Sequence, residues 1–325
     1  MFFVLQERKL SITSLISPNY TADQRLQCSI EFTNACNFRC PICPQSYRYK
    51  KQLQPLGAPY DRTIGCMDIT VFKRALAECR RVAKTIELNF FGEQTMHPNY
   101  IAFMEEMAKD RPFLIFTNTN LSLLDYTIMD CWINANLDQV RFSVDAISPD
   151  VFDIARPGKV LTLKGKVVNK NRLEIITEKI HVWLEKPNHC PTRLVFVESQ
   201  YNVDETNSFV EYWLKYLGDK DEILVKPVIS YGGKIADPTI MAGKCNIWDI
   251  KTLQIDWRGI VSPCNLDTNM DLALGSIMEY SLDELYKNTK ASELKKTTGC
   301  GNPIVPCSTC IDSNNWSTNR IYKNH

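Results

Sequence analysis

The sequence has no apolar run that approaches the ~20 residues a membrane-spanning helix needs. Its N-terminus, MFFVLQERK, opens apolar, but Gln6, Glu7 and Arg8 break the run before it could serve as a signal h-region. Neither charge is in excess. The 38 basic and 37 acidic residues leave a formal net charge of +1, so charge gives no ground for nucleic acid or an anionic membrane as partner. Internal repeats and low-complexity tracts are lacking too. The expectation is a cytoplasmic protein with no nucleic-acid and no membrane partner. What is present is ordinary globular usage, 44% hydrophobic and 23% charged. At 325 residues the chain suits one large α/β domain plus an appendage.

Cysteine, by contrast, is plentiful. Thirteen are many for a reducing compartment. Disulfides rarely persist there, so closely spaced cysteines point to metal binding or chemistry. The odd count leaves at least one thiol outside any full pairing.

Short apolar, β-branched runs alternate with amphipathic segments. The pattern predicts strands at Cys28–Thr33, Thr85–Phe91, Phe113–Thr119, Gln139–Asp145, Thr192–Glu198 and Glu222–Val228. Helices are predicted at Asp68–Lys84, Pro98–Lys109, Leu123–Asn134, Lys170–Val182 and Asp204–Leu217, with Asp68 and Asp204 as N-caps and Pro98 in a first turn. A repeated βα unit describes an α/β fold with a parallel sheet. The strands read as nearly continuous apolar runs, as when both faces are covered. After Val228 the pattern changes. A hairpin is expected from Leu253–Asp256 and Ile260–Pro263, turning at Trp257–Arg258–Gly259, then one short helix at Leu282–Lys287, with loop elsewhere. The domains expected are 1–229 and 230–325.

Residues 34–44 read NACNFRCPICP. Cys36, Cys40 and Cys43 have the spacing C-x3-C-x2-C, directly after the first predicted strand. One tight loop can supply several thiolates to an iron–sulfur cluster, and three thiolates leave one iron of a cubane open to a cofactor or substrate. A structural zinc site is the competing reading, but zinc knuckles favour C-x2-C pairs. The spacing and its place in a βα series resemble the radical SAM superfamily. Further elements follow in the family's order. Phe91–Gly92–Glu93 stands where relatives have Gly-Gly-Glu, with Phe91 replacing the first glycine. Thr117–Asn118–Thr119–Asn120 stands at the Thr-Asn-Gly element, Ser143–Val144–Asp145 at a Ser-Ile-Asp element, and Arg156 in an Arg-Pro-Gly loop. The resemblance implies a partial (β/α)6 TIM-like barrel, with a SAM-binding [4Fe–4S] cluster on Cys36, Cys40 and Cys43. It implies SAM contacts from Gly92, Glu93, Asn118, Ser143, Asp145 and Arg156.

In the tail, Cys245 is followed by Gly259, then Cys264, and later by the pair Cys307-x2-Cys310. A four-cysteine zinc site fits this spacing by itself. The first half also resembles the opening of the family's SPASM and twitch extensions. Together with the upstream motif it implies a small C-terminal subdomain holding an auxiliary [4Fe–4S] cluster on Cys245, Cys264, Cys307 and Cys310. Too few cysteines remain for a second auxiliary cluster.

The resemblance implies cleavage of SAM to a 5′-deoxyadenosyl radical that takes hydrogen from substrate, with flavodoxin or ferredoxin as electron donor. A small polyol, sugar or aminocyclitol oxidised by a dehydrogenase is the leading expectation, since the first strand starts too early for the N-terminal winged-helix module of many peptide maturases. The alternatives are an epimerase, with Cys66, Cys190 or Cys300 as hydrogen donor, and a peptide maturase. His97 is expected on a solvated loop. Tyr47, Arg48 and Tyr49 are candidates for the mouth of the site.

Overall fold

The computed structural model describes residues 26–49, 60–168, 171–240, 245, 247–297, 306–310 and 319–324. In chain order the elements are β1 (Leu26–Ile30), α1 (Ile69–Val82), β2 (Ala83–Leu88), α2 (Tyr100–Ala108), β3 (Leu114–Thr119), α3 (Tyr126–Asn134), β4 (Gln139–Ser143), α4 (Pro149–Ala155), β5 (Val160–Leu161) and β6 (Val167–Val168). They continue with α5 (Arg172–Leu184), β7 (Thr192–Glu198), α6 (Thr206–Leu214), β8 (Glu222–Pro227), β9 (Thr252–Ile255), β10 (Ile260–Ser262), β11 (Gly275–Ser276), α7 (Leu282–Lys287), α8 (Thr289–Thr297) and β12 (Arg320–Tyr322).

Six strands, β1-β2-β3-β4-β7-β8, lie side by side in chain order and all run parallel. With a helix after each of the first five, this is the wall of a partial (β/α)6 barrel, mostly parallel as expected. β9 adds to the free edge of β1 in parallel, and β10 and β11 follow it antiparallel. β12 closes against β8 at the other end, antiparallel. The sheet therefore runs across the boundary expected at residue 229.

The core lies between strands and helices. Cys28, Ile30, Ile86, Leu88, Ile115, Val140, Phe142, Leu194 and Phe196 point outward into Phe72, Leu76, Phe103, Trp132, Trp183 and Trp213, and all are essentially inaccessible to water. Phe72 stacks on Phe103 with centroids 3.9 Å apart. Two of these three buried indoles keep a hydrogen bond, Trp132 Nε1 donating to Tyr100 Oη at 2.7 Å and Trp183 Nε1 to Thr192 Oγ1 at 2.8 Å, whereas Trp213 Nε1 has no partner among the described residues.

Four expectations need correction. The strands are not apolar on both faces. Gln139, Arg141 and Ser143 alternate with buried Val140 and Phe142, so only the face toward the helices is continuously apolar. The tail is more regular than loop, since α8, β11 and β12 lie in it. α8 buries only Ala291 and Leu294, too little apolar periodicity to mark a helix. Asp204 sits in a 3₁₀ turn before α6, and Pro98 precedes the Asn99 cap of α2. α4, opened by Ser148 and Pro149, was not anticipated. Asp68 does cap α1, its Oδ1 accepting from Thr70 N at 2.7 Å.

Candidate functional site

The loop carrying Cys36, Cys40 and Cys43 leaves the C-terminal end of β1, the end at which barrel strands build active sites. Two side chains the sequence reading missed hold it. Gln94 Oε1 accepts from Phe32 N (2.6 Å) and Thr33 N (3.3 Å), while its Nε2 donates to Thr33 O (3.2 Å) and Phe91 O (2.9 Å). Asn34 Nδ2 donates to Tyr60 Oη (3.0 Å) and Thr63 O (2.8 Å), and its Oδ1 accepts from Gly65 N (2.9 Å). Gly92 packs against the same loop. Its φ is +84°, and a Cβ there would stand 2.4 Å from Thr33 O. Only glycine tolerates both conditions.

Donors converge on the thiols. Phe38 N points to Cys36 Sγ at 3.4 Å, Asn120 Nδ2 to Cys36 Sγ at 3.8 Å, and Arg156 Nη1 to Cys40 Sγ at 3.8 Å. Backbone N–H groups of Gln45 and Ser46 reach Cys43. Burial, then the neighbouring Cys40 thiol, pushes the Cys36 thiol well up and Cys43 up to about 12. Desolvated thiols with N–H groups aimed at their sulfurs suit thiolates bound to iron. A cubane takes each thiolate on a separate iron, and three thiols supplied by one loop fit such a cluster.

Around this loop the structure assembles the other expected contacts in a particular arrangement. Glu93 is buried, and its carboxylate accepts from Thr95 Oγ1 (2.7 Å), Thr119 Oγ1 (2.9 Å) and Asn120 N (2.7 Å). It braces the end of β3. Burial raises its pKa against those hydrogen bonds. Asp145 and Arg156 are paired with each other. Asp145 is inaccessible to water, holds φ +60° and accepts from Val197 N at 2.7 Å. Asn118 and Ser143 lie on the alternate, lumen-facing positions of β3 and β4.

The lumen is polar. Arg141 Nη1 pairs with Glu87 Oε1 at 3.1 Å, and Arg193 Nε donates to Glu222 Oε1 at 2.7 Å. Lys226 on β8 shares this face, and its Nζ makes no hydrogen bond among the described residues. Burial, then Arg141, draws its ammonium pKa down, with Asp145 and Glu87 opposing.

The remaining candidates separate. Cys66 is exposed beside Thr33, its Sγ 3.4 Å from Thr33 Oγ1. Cys190 is buried just before β7, at the opposite ends of the strands from the cysteine loop, so the fold does not bring it to the site. Cys300 and the side chains of Tyr47, Arg48 and Tyr49 lie outside the description. His97 is not solvated. It is buried, with Nε2 2.9 Å from Met67 O and Nδ1 accepting from Asn99 N.

In the tail, the β9–β10 turn forms at Gly259 (φ +84°), with Asp256 Oδ1 accepting from Arg258 N and Ile260 N. Cys264 leaves the end of β10. Burial, Asp267, Cys310 and Cys245 together raise its thiol pKa, which places Cys245 and Cys310 within its electrostatic reach. Cys307 and Cys310 sit on one turn, Cys310 N donating to Cys307 O at 3.2 Å. That turn rests on Gly233, where a Cβ would stand 2.6 Å from Thr309 O. Cys245, Cys264, Cys307 and Cys310 thus offer four thiols to an auxiliary cluster.

Residues 30–178 match the model of the radical SAM superfamily, and residues 245–311 match SPASM, an iron–sulfur cluster-binding domain. Comparison with curated proteins gives no match. Solved structures do resemble the chain. BtrN in complex with AdoMet and 2-DOIA is 15% identical, with a TM-score of 0.53 over 83% of this chain and 85% of that one. Streptococcus suis SuiB bound to precursor peptide SuiA is 11% identical, with a TM-score of 0.63 over 89% and 70%. Native anSMEcpe with bound AdoMet is 14% identical, with a TM-score of 0.60 over 82% of each chain. With the cysteine loop at a barrel's C-terminal mouth and a four-cysteine tail beyond it, the chain carries a radical SAM domain over residues 30–178 and a SPASM iron–sulfur domain over residues 245–311.

Proposed function

We propose that the protein oxidises a small hydroxylated molecule, a polyol, sugar or aminocyclitol, as a radical SAM dehydrogenase. The cluster on Cys36, Cys40 and Cys43 and SAM, when bound, supply the hydrogen-abstracting radical, and the auxiliary cluster supplies an electron acceptor. The observation that carries the reading is the polar lumen below the cysteine loop. Arg141, Glu87 and Lys226 offer donors and acceptors at close quarters, as a ligand rich in hydroxyl groups requires. Paired charges hold their geometry, and Lys226 has donors to spare. The similarity to BtrN, whose complex contains AdoMet and 2-DOIA, agrees with such a ligand. SAM contacts fall to Gly92, Glu93, Asn118, Ser143, Asp145 and Arg156, with Arg156 and Asp145 acting as a pair. Flavodoxin or ferredoxin serves as electron donor.

Epimerisation is disfavoured for one of its three candidate donors, since a thiol that quenches a substrate radical must stand beside the substrate and Cys190 lies at the far end of the barrel. Peptide modification is the second reading, on the likeness to SuiB bound to a precursor peptide.

The test is product analysis with deuterated candidate polyols under anaerobic turnover. Deuterium should enter 5′-deoxyadenosine, and the product should be two hydrogens lighter. A product of unchanged mass that gains deuterium from D2O would refute oxidation.

A further inference from the structure

We propose that Asn120 tunes the reduction potential of the N-terminal cluster through its contact with Cys36, and that the buried ammonium of Lys179 aims it. The proposal rests on Cys36, Cys40 and Cys43 being cluster ligands.

The orientation of the Asn120 amide is fixed. Its Oδ1 accepts from Ser122 N at 2.9 Å, a group that can only donate, so Nδ2 is the end that faces Cys36 Sγ at 3.8 Å and Asn37 Oδ1 at 3.2 Å. Its backbone N donates to Glu93 Oε2 at 2.7 Å. The chain then turns through Leu121, whose φ of +65° is unfavourable for a branched side chain. Lys179 holds that corner. It projects from α5, is inaccessible to water, and donates from Nζ to Leu121 O at 2.8 Å and Ser122 O at 2.9 Å. A buried ammonium is costly unless its donors are used. Here they fasten the two carbonyls that follow Asn120, and Ser122 Oγ is tied in turn to Asn37 beside Cys36.

Reduction adds negative charge to a cluster. An N–H aimed at a ligand sulfur stabilises the reduced form more than the oxidised one and raises the potential. Asn120 therefore makes the cluster easier to reduce. Arg156 stands the same way toward Cys40, but its resemblance to a SAM contact makes it a poor test. Among the described residues Lys179 touches no thiol, and it acts through Asn120, as a positioning residue.

The experiment follows the electron paramagnetic resonance signals of anaerobically reconstituted holoenzyme during reductive titration without SAM. The signal missing from Cys36→Ala marks the N-terminal cluster, and the one missing from Cys264→Ala marks the auxiliary cluster. Asn120→Ala should move the first midpoint to lower potential and leave the second in place. Lys179→Met should shift the first in the same direction, and the double variant no further than Asn120→Ala alone. Lys179→Arg, which keeps charge and donors, should stay near wild type and guards against a failure of Lys179→Met to fold. An unmoved midpoint in Asn120→Ala overturns the proposal, and an additive double variant overturns the positioning role. If Cys36→Ala loses no signal, the cluster assignment itself fails, a distinct result.

Discussion

Arg62 carries a full charge where almost no water reaches it. Its Nη1 and Nη2 donate to Glu31 Oε1 and Oε2 at 2.8 and 2.7 Å, Nη1 lies 3.5 Å from Asp256 Oδ2, and Nε donates to Thr268 O at 2.8 Å. The guanidinium also lies over the rings of Tyr60, Phe90 and Phe91. This gives Phe91 a structural role: its ring lies beside the buried guanidinium, and its N–H donates to Glu31 at 3.1 Å. Removing one member of such a group strands its partners' charge. Arg62→Met should cost about 3–5 kcal/mol, read as a lowered midpoint in urea unfolding. At Gly92 the expected effect is on the cysteine loop. Gly92→Ala should lower bound iron per chain after anaerobic reconstitution, because the new Cβ displaces Thr33. Wild-type iron content in this variant would contradict the close packing. The cysteines were legible because their spacing is local. Arg62, Asn34, Gln94 and Lys179 were not, because their partners lie far along the chain: Arg62 and Thr268 are 206 positions apart, Gln94 and Phe32 62 apart.

At the scale of elements, the six barrel strands and most of their helices were legible to within a few residues, since each has a strong apolar face. β12 was not, for three residues carry no periodicity. It is nonetheless tied in by charge. Lys323, just past β12, reaches Glu222 Oε2 at 2.8 Å, and Arg320 pairs with Glu198. Burial raises the Glu222 pKa, but Arg193 and Lys323 outweigh it and the net direction is downward. A carboxylate whose folded pKa is depressed contributes stability above its unfolded value near 4.5. That contribution is lost as pH falls through the lower folded value. Melting temperature should therefore fall more steeply below pH 4.5 in wild type than in Glu222→Gln. Parallel curves would show that the pairing contributes nothing.

For the whole molecule, the change of sequence character after Val228 was legible, but the way the tail joins the barrel was not. Register between β9 and β1 is set by backbone pairing, Gln27 N donating to Lys251 O at 3.0 Å and Glu31 N to Ile255 O at 2.9 Å, and backbone groups leave no mark on composition. One sheet thus carries both cysteine groups. They should still load separately, because each has its own ligands. Cys264→Ala/Cys307→Ala should lose about half the iron yet retain reductive SAM cleavage. The most direct test of the account is 5′-deoxyadenosine formation from SAM by anaerobically reconstituted Cys40→Ala beside wild type. The account predicts none from the variant, and formation at the wild-type rate would contradict it.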